Sequence, residues 1–336
     1  MDLSREKHFA RDIALEAGKM VLGYQKSGFS TEEKSPGDFV TTADKAASEL
    51  TLNAIAKHFP EDGVLSEEKA DDQSRLGHRR VWIVDPIDGT REFVNGTNDY
   101  VFSLGLVIDH KPILGVIYAP ATEDVYIGLV GEGVSLNGTP TGFSKRPLSE
   151  MRVGVSNTEY QHTLKDHRDV LSMHPSGSAA YKLAKIVSGE SDAAFTIAPR
   201  SEWDLAGAAA MLHALGGHIG TRDGTPLFFN QRFPQLHRGT LAGRPDAYVY
   251  LHKRLIELGI PEKRLWVTPE SDVWMWVPEH MRQVDRDHHV HMWVTPTGPQ
   301  SVVQVQRTEK GWKIKTQVGS IPRFVHDLQR EYGAWL

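Results

Sequence analysis

An unbroken apolar run, Val81 to Val84, leads directly into the sequence DPIDGT (85–90). The run predicts a strand buried inside a sheet, and the proline and glycine that follow predict a tight turn before a helix begins. Two carboxylates, Asp85 and Asp88, then stand so close together that they repel each other unless a cation lies between them. Such hard oxygen ligands suit Mg²⁺ or Mn²⁺, and the carbonyl of Ile87 is a further candidate ligand.

The backbone N–H groups of Gly89 and Thr90 predict a phosphate site beside these carboxylates. At a helix N-terminus such groups have no partner within the helix, and the helix dipole favours an anion there. Cations next to an oxyanion site are the arrangement that phosphoryl transfer to water requires. The alternative for this segment alone is an ordinary turn with a capping aspartate.

Other acidic residues stand where loops meet regular elements: Asp44 after the loop 34–44, Glu67 and Glu68 after a short apolar run, and Asp204 where a helix is predicted to start. Each has a plain alternative. Asp44 and Asp204 also suit helix N-caps, and Glu67 with Glu68 also suits a solvated charge pair. Together with the DPIDGT turn, they favour one shared metal site.

From about residue 146 onwards, predicted strands and helices alternate, so the periodicity of apolar residues predicts an α/β fold for this second half. The predicted helices lie at 3–26, 45–59, 178–188 and 204–215, with a strand end and a last helix within 241–259. The predicted strands lie at 81–84, 100–109, 111–120, 124–130, 134–138, 152–156, 192–197 and near 226–230.

After Pro261 the pattern changes to short alternating strands and a closing helix at 321–336, which predicts a small α+β module over 261–336. Six of the eight tryptophans lie in this module: Trp266, Trp274, Trp276, Trp293, Trp312 and Trp335. We interpret them as filling a small core, with a ligand-binding face as the alternative. His289 and His291 share one strand face, where an exposed polar surface is favoured over a metal site.

The composition excludes several classes of function. The chain has no cysteine, which excludes thiolate catalysis, and its net charge of −5 gives no basic face for a nucleic-acid polymer or a membrane surface. The first residues are charged and lack the apolar core of a signal peptide, and no window has the length of a membrane span. These observations predict a cytoplasmic protein; a homodimer is one open arrangement.

Four segments resemble the inositol monophosphatase superfamily of lithium-sensitive, Mg²⁺-dependent phosphatases. They are KSPGDFVTTAD (34–44), VLSEE (64–68), WIVDPIDGTREF (82–93) and EWDLAGAAAMLHALGG (202–217), in the order and at the separations that the family shows. The resemblance covers about residues 5–258. It implies a layered α/β/α/β/α sandwich over 1–260, with halves at about 1–148 and 149–260 and the active site between them.

The resemblance also implies a set of metal ligands for two or three Mg²⁺ ions, with Mn²⁺ as a substitute. Glu67, Asp85 and the carbonyl of Ile87 correspond to the ligands of one metal, and Asp85, Asp88 and Asp204 to those of a second. Glu67 also corresponds to a ligand, through water, of a third and looser metal, and it is predicted to be a catalytic residue.

The remaining roles concern water and phosphate. The resemblance implies that the Thr90 hydroxyl, paired with Asp44, orients and helps to deprotonate the attacking water. Asp88, Gly89 and the N–H of Thr90 correspond to the phosphate site.

The substrate implied is a small phosphorylated metabolite. The GTREF continuation of the motif is similar to bisphosphate nucleotidases, and Ile197 stands where inositol phosphatases carry a substrate-binding acid. Arg200 is a candidate for binding a second phosphate, with an uninvolved surface arginine as the alternative. We therefore predict removal of the 3′-phosphate from adenosine 3′,5′-bisphosphate. The alternatives are an inositol 1-phosphate or other polyol phosphatase, and a non-catalytic regulator that binds a phosphorylated ligand.

Overall fold

The computed structural model of the protein describes residues 2–35, 38–232, 234–236 and 238–267, and the strands 272–277, 281–284, 289–294, 301–308 and 311–316. The sequence expectations for the closing helix, and for the side chains of the six C-terminal tryptophans and of His289 and His291, lie outside the described residues. Among the described helices, none combines the length and the apolar composition that crossing a bilayer requires.

The chain begins with two helices joined by a hairpin. Its elements are α1 (Ser4–Ser27), β1 (Thr31–Ser35), β2 (Asp38–Thr41) and α2 (Thr42–His58). Both helices bury alanines and β-branched residues at helical spacing, so their backbones approach each other closely. The predicted helix at 45–59 begins earlier, at Thr42, because Thr41 and Asp44 form a capping box that fixes its N-terminus.

A seven-stranded sheet follows, with the order β3-β4-β5-β6-β7-β8-β9. Its elements are β3 (Gly63–Ser66), β4 (Arg80–Asp88), α3 (Thr90–Val94), β5 (Val101–Ile108), β6 (Lys111–Ala119), β7 (Asp124–Leu129), β8 (Gly133–Leu136) and β9 (Thr139–Thr141). The pair β3–β4 is parallel and the later pairs are antiparallel. Every residue of β5 is buried, because helices cover both faces of the sheet.

The second half contains a five-stranded sheet with the order β11-β10-β12-β14-β13. Its elements are β10 (Arg152–Ser156), α4 (Asn157–His162), β11 (Ser172–Ser176), α5 (Ala179–Val187), β12 (Ala193–Phe195), α6 (Ala206–Ala214), β13 (His218–Thr221), β14 (Thr240–Gly243) and α7 (Pro245–Glu257). Helices α5 and α6 lie between the two sheets and contribute to a core that contains residues of both. Helix α7 covers the outer face of the second sheet.

The layers therefore run helices, sheet, helices, sheet, helix, and the predicted α/β/α/β/α sandwich is confirmed. The predicted strand near 226–230 is wrong. Polar residues 221–225 form a turn that brings Pro226 back beside Gly220 as an isolated bridge, and Pro226 has no N–H with which to extend a ladder. Phe229 is instead buried in the core.

Helix α6 approaches the large sheet unusually closely. A Cβ atom on Gly115 of β6 would lie 1.9 Å from the carbonyl oxygen of Gly207, so position 115 requires glycine. This close packing places the N-terminal end of α6 against β5 and β6.

The segment after α7 continues with the strands β15 (Glu262–Val267), β16 (Asp272–Val277), β17 (Met281–Val284), β18 (His289–Val294), β19 (Ser301–Thr308) and β20 (Gly311–Thr316). They form two three-stranded antiparallel sheets, β15-β18-β17 and β16-β19-β20. The short strands expected from the alternating pattern are therefore present.

Candidate active site

One cavity of about 500 Å³ collects residues that lie far apart in the sequence. All the predicted site residues except Asp44 line it: Glu67, Asp85, Ile87, Asp88, Gly89, Thr90, Arg200 and Asp204. Asp44 lies behind this lining and reaches the cavity through its hydrogen bond to Thr90. The site therefore combines elements from both halves of the sandwich.

Three aspartates form the centre of the site. Asp85, Asp88 and Asp204 each offer a carboxylate oxygen, and these oxygens all lie within 4.8 Å of one another. Burial, followed by repulsion from Glu67 and the other aspartates, raises the pKa of Asp85 well above its usual value. Burial also raises the pKa of Asp88. Buried, mutually repelling oxygen ligands of this kind fit a divalent cation.

A bulge in strand β4 explains how two of these side chains come together. Residues three apart on a regular strand point to opposite faces of the sheet. In β4, however, Asp85 pairs with Ser103 and Asp88 with Val101, so three steps on β4 match two on β5. The extra residue turns Asp88 to the same side as Asp85.

Asp88 is held by the start of helix α5. Its Oδ2 accepts hydrogen bonds from the Ser178 hydroxyl and from the N–H of Ala180, each at 2.5 Å. Ser178 is also the N-cap of α5, where its hydroxyl accepts from the N–H of Tyr181. Ser178 was not among the predicted site residues, although a serine at the first position of a predicted helix is a recognisable N-cap signal.

Asp204 lies in the loop before α6. Its Oδ2 accepts a hydrogen bond from the N–H of Ser201 at 3.0 Å, and the helix N-cap is Leu205, without a side-chain cap. The N-cap interpretation of Asp204 is therefore wrong. Burial, followed by the charge of Asp88, raises the pKa of Asp204 to about 7.

Glu67 and Glu68 both form ion pairs with Lys34. The Lys34 ammonium donates to Glu67 Oε1 at 3.2 Å and to Glu68 Oε1 at 2.6 Å. The side chain of Glu68 is only 5% exposed, so the interpretation as a solvated charge pair is wrong. Burial raises the pKa of Glu67 to about 8, against the opposing effect of Lys34.

Asp44 serves two elements at once. Its Oδ2 accepts from the N–H and the hydroxyl of Thr41, at 2.8 and 2.5 Å, which completes the capping box of α2. Asp44 is thus the third helical residue and not the N-cap. Its Oδ1 accepts from the Thr90 hydroxyl at 3.2 Å, and burial raises the pKa of this carboxyl.

The turn between β4 and α3 requires its glycine. Gly89 has a φ of 99°, and a Cβ atom there would lie 2.9 Å from the carbonyl oxygen of Asp99. The carbonyl of Ile87 accepts from the Thr90 hydroxyl at 3.0 Å. The residues of this turn form part of the cavity wall.

Polar residues from the second half complete the cavity, and most of them were not identified from the sequence. Arg91 donates to the Thr158 hydroxyl at 3.3 Å, and Asn157 and Glu159 lie nearby on α4. Within the described part of the chain, the buried Nε of Arg200 has no hydrogen-bond partner. Only tertiary packing brings α4 to this cavity, since nothing in its local sequence indicates a site.

The sequence model of the inositol monophosphatase family matches residues 2–258. The chain belongs to the inositol monophosphatase family. Members of this family are metal-dependent phosphatases that hydrolyse phosphomonoesters. The predicted family and enzyme class are therefore confirmed.

Individual relatives of this phosphatase differ in the substrate that their names state. The chain is 33% identical over 241 residues to the 3′-phosphoadenosine 5′-phosphate phosphatase of Mycobacterium leprae, covering 68% of this chain and 85% of that one. It is 31% identical over 225 residues to inositol monophosphatase 3 of Solanum lycopersicum, covering 62% and 84%. The solved structure of inositol monophosphatase from Anabaena matches with a TM-score of 0.63 and 26% identity, over 76% of this chain and 97% of that one.

Proposed function

We propose that this phosphatase uses Mg²⁺ to remove the 3′-phosphate from adenosine 3′,5′-bisphosphate. The observation that carries the chemistry is the convergence of Asp85, Asp88 and Asp204 within 4.8 Å, beside the Thr90–Asp44 pair. Cations next to a polarised hydroxyl are the arrangement that hydrolysis of a phosphomonoester needs.

The carboxylates would hold two or three Mg²⁺ ions. Asp85, Asp88 and Asp204 would bind one ion, and Asp85, Glu67 and the carbonyl of Ile87 a second, with Glu67 reaching a third through water. When bound, the cations neutralise the clustered carboxylates, offset charge on the phosphate oxygens and lower the pKa of water.

The protein's own contribution to water activation lies at Thr90. Its hydroxyl proton points to Asp44 Oδ1 or to the carbonyl of Ile87, which leaves the oxygen free to accept a hydrogen bond from the attacking water. As the oxygen–phosphorus bond forms and the ester bond breaks, the proton of the water passes to Thr90, that of Thr90 passes to Asp44, and the departing alcohol oxygen takes a proton from solvent water. Asp44 suits this role, because burial raises the pKa of its carboxyl.

Phosphate binding would fall to the turn and to two arginines. The N–H groups of Gly89 and Thr90 line the cavity next to Asp88, so the phosphate would lie between this turn and the cations. Arg200 and Arg91 line the same cavity and are candidates for a second phosphate.

Two observations support the bisphosphate nucleotide. The Mycobacterium leprae relative, at 33% identity, is named for 3′-phosphoadenosine 5′-phosphate, and Ile197 is buried and apolar. The second candidate function is hydrolysis of inositol 1-phosphate, which the Solanum lycopersicum relative supports at 31% identity.

A phosphate-release assay with Mg²⁺ tests the proposal. It compares adenosine 3′,5′-bisphosphate, inositol 1-phosphate, fructose 1,6-bisphosphate and histidinol phosphate, with Asp85→Asn as the inactive control. The highest kcat/KM is expected for the bisphosphate nucleotide. A preference for inositol 1-phosphate would reject the substrate and keep the chemistry, whereas no Mg²⁺-dependent release from any ester would favour a non-catalytic, ligand-binding protein.

A further inference from the structure

Glu159 is a buried acid that the chemistry above does not use. It lies on α4 with 6% of its surface exposed, and it lines the same cavity as Asp85, Asp88 and Asp204. It is therefore a cavity residue from the second half of the sandwich, on an element separate from those that carry the metal-binding carboxylates.

The two carboxylate oxygens of Glu159 have different surroundings. Oε1 accepts hydrogen bonds from the N–H groups of Ile197 and Ala198, each at 2.9 Å. Oε2 is buried and, within the described residues, has no hydrogen-bond partner. Leaving such an oxygen without a donor is unfavourable, and for that reason such groups are uncommon.

Nearby cations do not satisfy this oxygen. Lys182 and Arg222 act on Glu159 through their charge, but the Arg222 guanidinium donates to the carbonyls of Ile260 and Pro261. Holding the 197–198 turn requires only Oε1. The second oxygen is thus fixed in place by the first and stays without a donor, in a side chain that lines the cavity.

This arrangement also bears on Ile197. An apolar side chain at that position cannot accept a hydrogen bond from a substrate. The carboxylate of Glu159, which accepts from the backbone N–H groups of Ile197 and Ala198, supplies an acceptor from a different element beside that backbone.

We propose that Glu159 is a substrate-binding residue whose Oε2 accepts a hydrogen bond from a hydroxyl on the alcohol part of the phosphomonoester. The inference rests on the proposed phosphatase function and adds the substrate class: esters whose alcohol carries a free hydroxyl, as riboses and polyols do. A carboxylate acceptor rejects the matching deoxy alcohol, because the buried oxygen then stays unpaired.

The test compares esters that differ by one hydroxyl. The pairs are adenosine 3′,5′-bisphosphate with its 2′-deoxy form, and 2-hydroxyethyl phosphate with ethyl phosphate. The wild-type protein is expected to prefer the hydroxylated member of at least one pair. Glu159→Gln keeps an acceptor for the 197–198 turn but replaces Oε2 by an NH₂ group.

In Glu159→Gln the hydroxyl preference, as a ratio of kcat/KM values, should fall by about 10- to 100-fold, the range for a hydrogen bond to a charged group. The ratio is measured within one protein, so any loss of folded enzyme cancels. Glu150→Gln, at an exposed position, is the matched control and should keep the wild-type ratio.

A ratio in Glu159→Gln equal to that of the wild type would overturn the inference while leaving the phosphatase function intact. A wild-type protein without preference in either pair would overturn it as well. A wild-type protein that releases no phosphate from any of the four esters would instead reject the proposed function on which the inference rests.

Discussion

The Thr90 hydroxyl donates a hydrogen bond to Oδ1 of Asp44 at 3.2 Å, although 46 positions separate the two residues in the sequence. The other oxygen of Asp44 is occupied by Thr41 at the start of α2. Asp44 therefore fixes the helix with one oxygen and faces the active site with the other. The rigid start of α2 holds the proton acceptor in place.

Removing this hydroxyl should impair turnover. For Thr90→Ala we expect kcat to fall by about 10²- to 10⁴-fold, the usual range for a lost acid–base relay, with a smaller change in KM. Thr90→Ser keeps the hydroxyl and should retain most of the activity. Steady-state kinetics on the preferred ester, with circular dichroism to verify folding, measures both; a wild-type kcat in Thr90→Ala would contradict the relay.

Neutralising Asp85 should raise the stability of the metal-free protein and lower the catalytic activity. In Asp85→Asn, one buried charge is removed from a mutually repelling cluster, so the metal-free protein should unfold at a higher temperature. The stabilisation by added Mg²⁺ should disappear, and kcat should fall by about 10²-fold or more. Thermal unfolding with EDTA and with Mg²⁺ checks this, with the exposed Asp12→Asn as control; undiminished Mg²⁺ stabilisation would argue against the metal assignment.

The stability of the metal-free protein should fall as the pH rises from 5 to 8. The pKa of Asp204 is raised to about 7 and that of Glu67 to about 8, against about 4 in an unfolded chain. The folded protein therefore holds protons that the unfolded chain has lost. This stabilisation is complete below about pH 4 and is lost as the pH passes through the folded pKa values.

Mg²⁺ should oppose this trend, because it binds the ionised carboxylates. The increase in melting temperature on adding Mg²⁺ should therefore be larger at pH 8 than at pH 5. Scanning calorimetry at several pH values, with and without EDTA, provides the measurement. A melting temperature of the metal-free protein that rises over this interval would show that other groups dominate.

The close contact between β6 and α6 should be sensitive to a single methyl group. Gly115→Ala places a Cβ atom against the carbonyl of Gly207, so we expect a loss of about 1–3 kcal/mol in the free energy of unfolding. Because α6 follows the loop that carries Asp204, kcat should fall as well. Urea unfolding measures the stability, and Gly142→Ala, whose added Cβ meets no atom within 4 Å, is the control; equal stability of the two variants would refute the packing argument.

Local patterns predicted much of the fold. The apolar run before Asp85, the helical spacing in α1 and the apolar stretch of β5 are properties of neighbouring residues, so they can be recognised without knowledge of distant contacts. The strand expected near 226–230 failed, because burial in the core and pairing in a sheet both select apolar residues. Strand β11, which contains a proline and several polar residues, carries no local signal.

The active site could be predicted from the sequence to about the same extent as the fold. The residue types and their order indicated a metal-dependent phosphatase, and the cavity contains those residues. Ser178 carried a capping signal from which its contact with Asp88 could have been suspected. Glu159, in contrast, looks in the sequence like an exposed helical glutamate, and only the structure shows that it accepts hydrogen bonds from the 197–198 turn.

The sequence by itself determined which functional groups this protein has: oxygen ligands for a hard cation, a turn that only glycine permits, and no thiol. Only the tertiary structure decided which oxygens face the cavity and which are used elsewhere, as with the divided carboxylates of Asp44 and Glu159. The reason is physical. Covalent order specifies which groups are present, but hydrogen-bond partners and desolvation arise from contacts between segments that are distant along the chain.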